Sequence, residues 1–345
     1  MSDATTSRGS RAARHPDVDP KALLNPRTSV FGRRGERLVA QNRRPTLTGH
    51  IVGLTLTVVG VGLVVAGIVD LVDAGPDALV LLITGVVIGA IGAALWRSTV
   101  TPKQIRVLDV FTAVTVTWLI IAVAGAIPYI LTGHFDRWDD GLFESISGFT
   151  TTGATVTPDI EATSRGLLFW RSTTQWMGGM GVIVLVVAVL PTVGSGGMSL
   201  MQAEAPGPTG ERLTPRVRET ARRLWAVYIG FTGVLAVAYF VAGMSVYDAV
   251  SHSFTTVSTG GFSPYQSSMG NFESGAIQWI SIVGMFLAGG SFTLYYRALR
   301  RDPKPLFRST EFRVYLFVVL AATLWAFVMS GASGKRAEGF RDSLF

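Results

Sequence analysis

Seven stretches of the chain are apolar over about the length that a helix needs to cross a bilayer, roughly 20 residues. They lie at 51–69, 78–96, 110–132, 172–191, 224–247, 274–296 and 314–333. The chain is 48% apolar and only 15% charged, whereas soluble domains carry about 25% charged residues. The pattern therefore predicts an all-α polytopic membrane protein.

The basic residues between these spans predict how the chain is oriented. Ten of the 30 Lys and Arg residues lie in 1–46. Connections rich in Lys and Arg then alternate with poor ones along the whole chain. By the positive-inside rule the N-terminus is cytoplasmic. Residues 1–46 contain no apolar core and no cleavage site, so we predict a cytoplasmic basic tail and not a signal peptide.

Two of the outer connections contain a further apolar stretch that is too short to span a bilayer. Residues 139–149 and 247–257 each give about three helical turns, and they run into TTTGAT (150–155) and STGGFS (258–263). We call these two segments the first and the second loop. A helix that returns as extended backbone at membrane depth is tolerated where it lines a wet cavity. Such loops can coordinate a dehydrated cation through carbonyls, although Thr, Ser and Gly are also turn residues.

The order span, half-helix, glycine loop, span occurs twice, which favours pore loops over ordinary turns. Gly153 and Gly260, 107 positions apart, are predicted to be the matching glycines of the two loops. Each returning span also carries a glycine pair, Gly178–Gly179 and Gly289–Gly290. Close packing is the predicted role of these pairs, and a kink is the alternative. The predicted organisation is a tail (1–46), two N-terminal transmembrane helices (47–100), a first pore repeat (108–197), a cytoplasmic linker (198–216), a second pore repeat (217–300) and a partial third (310–345).

Four segments together resemble the membrane subunit of bacterial Trk potassium uptake systems, in the superfamily that includes the Ktr and plant HKT transporters. They are LFESISGFTTTGAT, WRSTTQWMGGMGVIVLVVAVLP, QAEAPGPTGERLTPRVRETARRLW and SHSFTTVSTGGFS. The resemblance implies four repeats around one pore in the bacterial cytoplasmic membrane, with potassium as the substrate. It also implies that carbonyls of six residues bind the ion: Thr151, Thr152 and Gly153, and Ser258, Thr259 and Gly260.

The resemblance further implies a homodimer and a cytoplasmic regulatory subunit that binds a nucleotide. Any NAD or ATP would lie on that partner, so no cofactor is expected in this chain. Selectivity for potassium over sodium is implied by the resemblance and is not fixed by the residues of the two loops.

Ionisable residues near the half-helices have competing interpretations. Glu144 could attract cations to the outer vestibule, or it or Asp159 could pair with Arg171 and fix the half-helix in place. Asp140 and Asp248 are further vestibule candidates, and they are also natural N-caps. His252 is expected to bond a neighbouring backbone group rather than a metal.

Other functional classes lack support in the sequence. The chain has no Cys and only four scattered His, so no metal-ligand spacing is present. No Ser/His/Asp grouping, HExxH motif or carboxylate cluster points to an enzyme, and the basic residues lie between spans rather than on a face for nucleic acid. If Asp342 matches Asp140, the third loop lies beyond Phe345. The alternative function is therefore a non-conducting, C-terminally truncated fragment or a membrane scaffold protein.

Overall fold

The computed structural model describes residues 44–102, 107–194, 213–292, 294–295, 298 and 308–329. The chain divides into two units, Met1–Pro45 and Thr46–Phe345. Of the first unit only the two-residue strand β1 (Arg44–Pro45) is described. The rest of the predicted tail, most of the predicted linker and the end of the partial third repeat lie outside the described residues.

The second unit is helical, and the predicted all-α class is confirmed. Its elements in chain order are α1 (Leu47–Val72), α2 (Ala78–Ser98), the short strand β2 (Thr99–Val100), α3 (Val107–Leu131), α4 (Trp138–Phe149), α5 (Arg165–Gly194), α6 (Leu213–Val241), α7 (Val246–Val257), a 3₁₀ turn (Ser268–Asn271), α8 (Gly275–Ala288) and α9 (Thr310–Met329).

Five of these helices are long and apolar enough to cross a bilayer, namely α1, α2, α3, α6 and α9. They cover five of the predicted spans and make the protein a multi-pass membrane protein. Helix α5 contains the sixth predicted span at 172–191, and its side chains are described as far as Gly181.

The seventh predicted span, 274–296, is wrong as one continuous helix. Helix α8 ends at Ala288, and the backbone N–H groups of Gly289 and Gly290 bond back to the carbonyls of Met285 and Leu287. Two adjacent glycines lose much backbone entropy in a helix, which favours a break at this point. At this pair the structure has the alternative role, a break in the helix.

The predicted span 224–247 is also too long, because α6 ends at Val241. Gly243 follows with φ of 108°, and the N–H of Met244 bonds to the carbonyl of Tyr239. Helix α3 ends in the same way, with Gly133 at φ of 68°. Glycine stops a helix at this position because it adopts the left-handed conformation without strain. The span ends at this glycine turn, and the half-helix begins a few residues later.

Helices α1 and α2 form a hairpin that is tied to α5 by one buried carboxylate. Asp70 is fully buried and accepts hydrogen bonds from the backbone N–H groups of Asp77 at 2.9 Å and Gly166 at 2.8 Å. Gly166 lies in the first turn of α5, whose N–H groups have no partner within the helix. The hairpin therefore caps the helix that passes behind the two loops.

Candidate functional site

The site is built on two half-helices of equal length. Helices α4 and α7 have 12 residues each and end at Phe149 and Val257, directly before the two loops. The half-helices predicted at 139–149 and 247–257 are confirmed to within one residue. At this length each is too short to cross a bilayer.

The first half-helix ends in a Schellman turn. The N–H of Thr151 bonds to the carbonyl of Gly148, and the N–H of Thr152 bonds to that of Ser147, both at 2.9 Å. Thr151 has φ of 56°, in the left-handed region where glycine is usual and a β-branched residue is strained. Strained residues of this kind concentrate at functional sites.

The second half-helix repeats this turn 108 positions later. Thr259 has φ of 54° and bonds to the carbonyl of Thr256 at 3.1 Å, while the N–H of Gly260 bonds to that of Thr255 at 2.9 Å. A threonine is uncommon in the left-handed region, so its occurrence at the same point of both turns supports their equivalence. The equivalence of the two repeats, inferred from sequence pattern, is thus visible in their backbones.

This register corrects the predicted match between the loop glycines. Gly153 has φ of 77° and its equivalent is Gly261, with φ of 83°, and not Gly260. The second loop contains two adjacent glycines, so the sequence alone does not decide which one matches. The left-handed Thr259 decides it. Thr151, Thr152 and Gly153 therefore correspond to Thr259, Gly260 and Gly261, whereas Ser258 corresponds to Thr150, the C-cap.

The two loops lie side by side. A methyl group added to Gly153 would overlap the carbonyl oxygen of Gly260. Helix α5 passes directly behind both loops. A methyl group at Gly178 would overlap the carbonyl of Phe149, and one at Gly179 would lie 3.0 Å from the Cβ of Ser258. The predicted packing role of this glycine pair is confirmed, because only glycine lets the helix approach both half-helix ends.

Glu144 lies behind the first loop and is paired with Arg171. Its carboxylate lies 2.7 Å from Nε of Arg171, and the two side chains are 0% and 1% exposed. It also accepts bonds from the Thr155 hydroxyl at 2.9 Å and the N–H of Val156 at 3.1 Å. The ion-pair interpretation is confirmed with Glu144 as the partner, while Asp159 accepts from the N–H of Ala162 instead. The Glu144 carboxylate is therefore not exposed at an outer mouth.

Arg171 reaches both loops from one position on α5. Besides Nε, its Nη2 donates to the hydroxyl of Thr155 at 3.1 Å, in the first loop. Its Nη1 donates to the carbonyl of Ser263 at 3.3 Å, in the second loop. The guanidinium also lies over the ring of Phe262, 4.2 Å from the centroid. This buried cation therefore has a partner in each repeat.

His252 occupies the position in α7 that Glu144 occupies in α4, again 108 positions apart. Its Nδ1 lies 2.9 Å from the backbone carbonyl of Asp248, and its Nε2 lies 3.2 Å from the hydroxyl of Ser263. A carbonyl can only accept, so Nδ1 carries a proton, and in the neutral imidazole Nε2 is then the acceptor of the Ser263 hydroxyl. The expected backbone bond is confirmed. The described residues contain no His, Asp and Glu cluster that could hold a metal ion.

The predicted N-caps are wrong by three residues. Ser245 is the N-cap of α7, and its hydroxyl accepts from the N–H of Asp248 at 3.1 Å. Arg137 is the N-cap of α4 and makes no side-chain cap bond. Asp140 and Asp248 lie in the first turns, where a negative charge still favours the helix N-terminus. The chain becomes extended just before Val246 and Trp138, so the helices begin earlier than the acidic residues suggest.

The vestibule candidates differ in exposure. Asp248 is buried and bonded to the hydroxyls of Ser245 at 2.7 Å and Tyr265 at 3.0 Å. Asp140 is half-buried. Glu144 and Asp248 are thus both engaged inside the protein, and Asp140 is the candidate that keeps partial access to solvent.

Gln175 is a site residue that the sequence interpretation missed. It follows Arg171 by one helical turn, so the two side chains share a face of α5. Its Oε1 accepts from the N–H of Phe262 at 3.0 Å. Its Nε2 is buried and has no hydrogen-bond partner among the described residues. The available signal was the polar run RSTTQ (171–175) at the start of a predicted span.

Comparisons with known proteins agree with this architecture. The family described as "TrkH: Cation transport protein" matches residues 78–330. The Trk system potassium uptake protein TrkH of Vibrio parahaemolyticus is 38% identical over 286 residues, 81% of this chain and 59% of that protein. The TrkH protein of Halomonas elongata is 39% identical over 253 residues, 70% of this chain and 52% of that protein. That of Escherichia coli is 36% identical over 286 residues, 80% of this chain and 59% of that protein.

A solved structure shows the same fold. The crystal structure of the potassium transporter TrkH from Vibrio parahaemolyticus matches with a TM-score of 0.75 at 34% identity, covering 86% of this chain and 62% of that one. The chain thus spans less than two thirds of the length of these relatives. All of them are named as transport proteins, which supports the exclusion of an enzyme.

Proposed function

The chain belongs to the TrkH family of cation transport proteins, and we propose that it is a pore-forming subunit for the uptake of potassium or another monovalent cation. The relatives are named as Trk system potassium uptake proteins. Backbone carbonyls of the two loops bind the dehydrated ion in this proposal, so no cofactor is needed in this chain.

One observation carries the proposal: two half-helices with the same end geometry bring their loops into direct contact, at Gly153 and Gly260. Each Schellman turn uses carbonyls of the last helical turn, such as Ser147 and Gly148, as acceptors. The carbonyls beyond the turn are then available for an ion. The negative ends of both helix dipoles point at the loops, which favours a cation there.

The backbone register refines the proposed ion-binding residues. In the first loop they are Thr151, Thr152 and Gly153. In the second, the equivalent residues are Thr259, Gly260 and Gly261, and the sequence-based set began one position earlier at Ser258. Asp140 is proposed to add negative potential at the outer side.

The arrangement around the pore rests on the resemblance and the charge pattern. The N-terminus is cytoplasmic in this proposal, in the bacterial inner membrane, and further filter segments close the ring around the ion. The full assembly is a homodimer with a cytoplasmic nucleotide-binding regulatory subunit, and NAD or ATP binds to that partner. Since the chain has no Cys, single cysteines at Ser98 and Arg301 can test the topology, and neither should react with an impermeant reagent added outside.

The function is tested on the purified chain and in cells. We expect potassium to raise the thermal midpoint of the protein in detergent more than the same concentration of sodium does, since a bound ion stabilises the folded state. When the chain is expressed together with the further filter segments that close the ring, we also expect growth of a potassium-uptake-deficient bacterium at low potassium. If no monovalent cation shifts the midpoint and uptake is absent, the chain is a scaffold or a non-conducting fragment.

A further inference from the structure

We propose that Arg171 and Gln175 form an inter-repeat clamp, a pair of positioning residues on α5 that sets the spacing of the two loops and thereby the preference for potassium over sodium. The inference rests on the proposed function, since it concerns the same pair of loops. Neither side chain is proposed to touch the ion.

The first arm of the clamp is the guanidinium of Arg171. It is held on one side by Glu144 and Thr155, both from the first repeat. On the other side it donates to the carbonyl of Ser263, in the second loop. A guanidinium presents its donors in a rigid plane, so it fixes the relative positions of the groups that it joins. Burial of the side chain, which is 1% exposed, prevents water from replacing these bonds.

The second arm is the amide of Gln175, one turn further along α5. It accepts from the N–H of Phe262, the residue after the two glycines of the second loop. A methyl group added at Gly260 would overlap this amide, and one at Gly153 would lie 3.8 Å from its Nε2. The amide is therefore wedged where the two loops meet. Its free N–H₂ group, which has no partner among the described residues, faces this junction.

The clamp belongs to one repeat only. The helix that returns from the second loop, α8, has the sequence GAIQWISIVGMFLA and contains no charged residue. The second loop is thus held partly by its own half-helix, through His252 and Ser263, and partly by the returning helix of the first repeat. Loss of the clamp would free the second loop relative to the first while each half-helix stays intact.

Loop spacing matters because carbonyls discriminate between ions by replacing the hydration shell at a set distance and number. The Gly260 carbonyl approaches Gly153 closely enough to exclude a side chain there. A loosened second loop could close around the smaller sodium ion as readily as around potassium. Loss of the clamp should therefore weaken the discrimination between potassium and sodium, rather than lower the transport rate of both ions.

The decisive variants are Arg171→Lys and Gln175→Met. Lysine keeps the buried positive charge next to Glu144 but cannot reproduce the planar fork. Methionine keeps the size and shape of Gln175 and leaves every charge unchanged. The matched control is Arg165→Gln, on the same helix, which breaks a partly exposed pair with Asp73.

Two measurements are made on the whole chain. The first is the preference for potassium over sodium. On the purified chain it is the ratio of the sodium and potassium concentrations that give the same thermal stabilisation. In cells that also express the further filter segments it is the ratio of the two uptake rates. The second is the distance between spin labels introduced by Val156→Cys and Gln266→Cys, which are exposed positions one residue after the first loop and three residues after the second. In both clamp variants we expect the preference to fall by about tenfold, as for the loss of one buried hydrogen bond, with a broader label distance. The control variant Arg165→Gln should keep both the ion preference and the label distance of the unmodified chain.

The outcomes separate this inference from the proposed function. If the unmodified chain shows no preference and no uptake, the proposed function fails. If it prefers potassium and the clamp variants keep that preference, the inference is overturned, whatever the label distances show. A parallel loss of potassium and sodium transport at constant ratio would also overturn it, because that result indicates a purely structural role.

Discussion

The two half-helix units share one backbone and differ in the chemistry behind it. In the first, the Thr155 hydroxyl donates to a buried carboxylate, that of Glu144. In the second, the Ser263 hydroxyl donates to a neutral imidazole, that of His252. Both hydroxyls also accept an N–H from two residues further along. The repeat therefore preserves the acceptor for a loop hydroxyl, and it does not preserve the charge of that acceptor.

The difference in charge determines what the returning helix must provide. A buried carboxylate needs a cation, and α5 supplies Arg171. A neutral histidine needs none, and α8 has no charged residue. The side chain at this one position of the half-helix thus accounts for one difference in composition between the two returning helices, which also differ in length.

The largest expected difference between the units concerns this charge. Arg171→Leu leaves Glu144 buried and uncompensated, and we expect it to lower the free energy of unfolding by about 3–5 kcal/mol. His252→Leu removes neutral hydrogen bonds only, with an expected loss of about 1–3 kcal/mol. Unfolding in detergent, followed by circular dichroism, measures both. Equal losses would show that the charge has no special role.

The matched glycines provide the second test. Gly261→Ala meets open space and bears only the left-handed backbone strain, about 1–2 kcal/mol. Gly153→Ala bears the same strain and also meets the Gly260 carbonyl, so we expect a loss of about 2–4 kcal/mol and reduced potassium uptake. Thermal midpoints in detergent compare the two variants. If Gly261→Ala were the more damaging, the assignment of the loop contact would be wrong.

The starts of the two returning helices differ as well. Asp70→Asn replaces an acceptor of two N–H groups by an amide that can accept with only one atom, and about 1–3 kcal/mol should be lost. Ser274, the N-cap of α8, makes no side-chain cap bond, so Ser274→Ala should change stability by less than about 0.5 kcal/mol. Hydrogen exchange at the start of α5 should rise in the first variant alone.

The smallest expected effect is at the starts of the half-helices. Ser245→Ala removes a real cap from α7 and should lower stability by about 1 kcal/mol. Arg137→Ala should leave the unfolding midpoint unchanged, because Arg137 makes no cap bond and its pair with Asp139 is exposed. A clear shift for Arg137→Ala would mean that this exposed pair contributes to the placement of α4.

The sequence predicted features that depend on local composition. Apolar length predicted where the spans lie, but it overran the glycine breaks after Val241 and Ala288. The half-helices were predicted to within one residue, because each is bounded by a polar turn and a Thr/Gly loop. The sequence could not decide between adjacent residues that are equally suited to one position. Gly260 and Gly261 are identical in sequence, and only the left-handed conformation of Thr259 separates them. The partner of Arg171 stayed open for another reason: Glu144 and Asp159 differ in burial, which depends on distant packing.

The bond between Asp70 and Gly166 also bears on the order in which the protein is made. The two residues are 96 positions apart, whereas Asp77, the other partner, is only seven away. When the hairpin has been synthesised, the carboxylate can already accept the hydrogen bond from Asp77. The hydrogen bond from Gly166 can form only after α5 has been synthesised. Until then the carboxylate, within one turn of the end of α1, has to stay hydrated at the membrane surface. Docking of α5 is thus the event that dehydrates Asp70. In a nascent chain stopped before that helix, the Asp70 carboxylate at the end of the hairpin would remain hydrated.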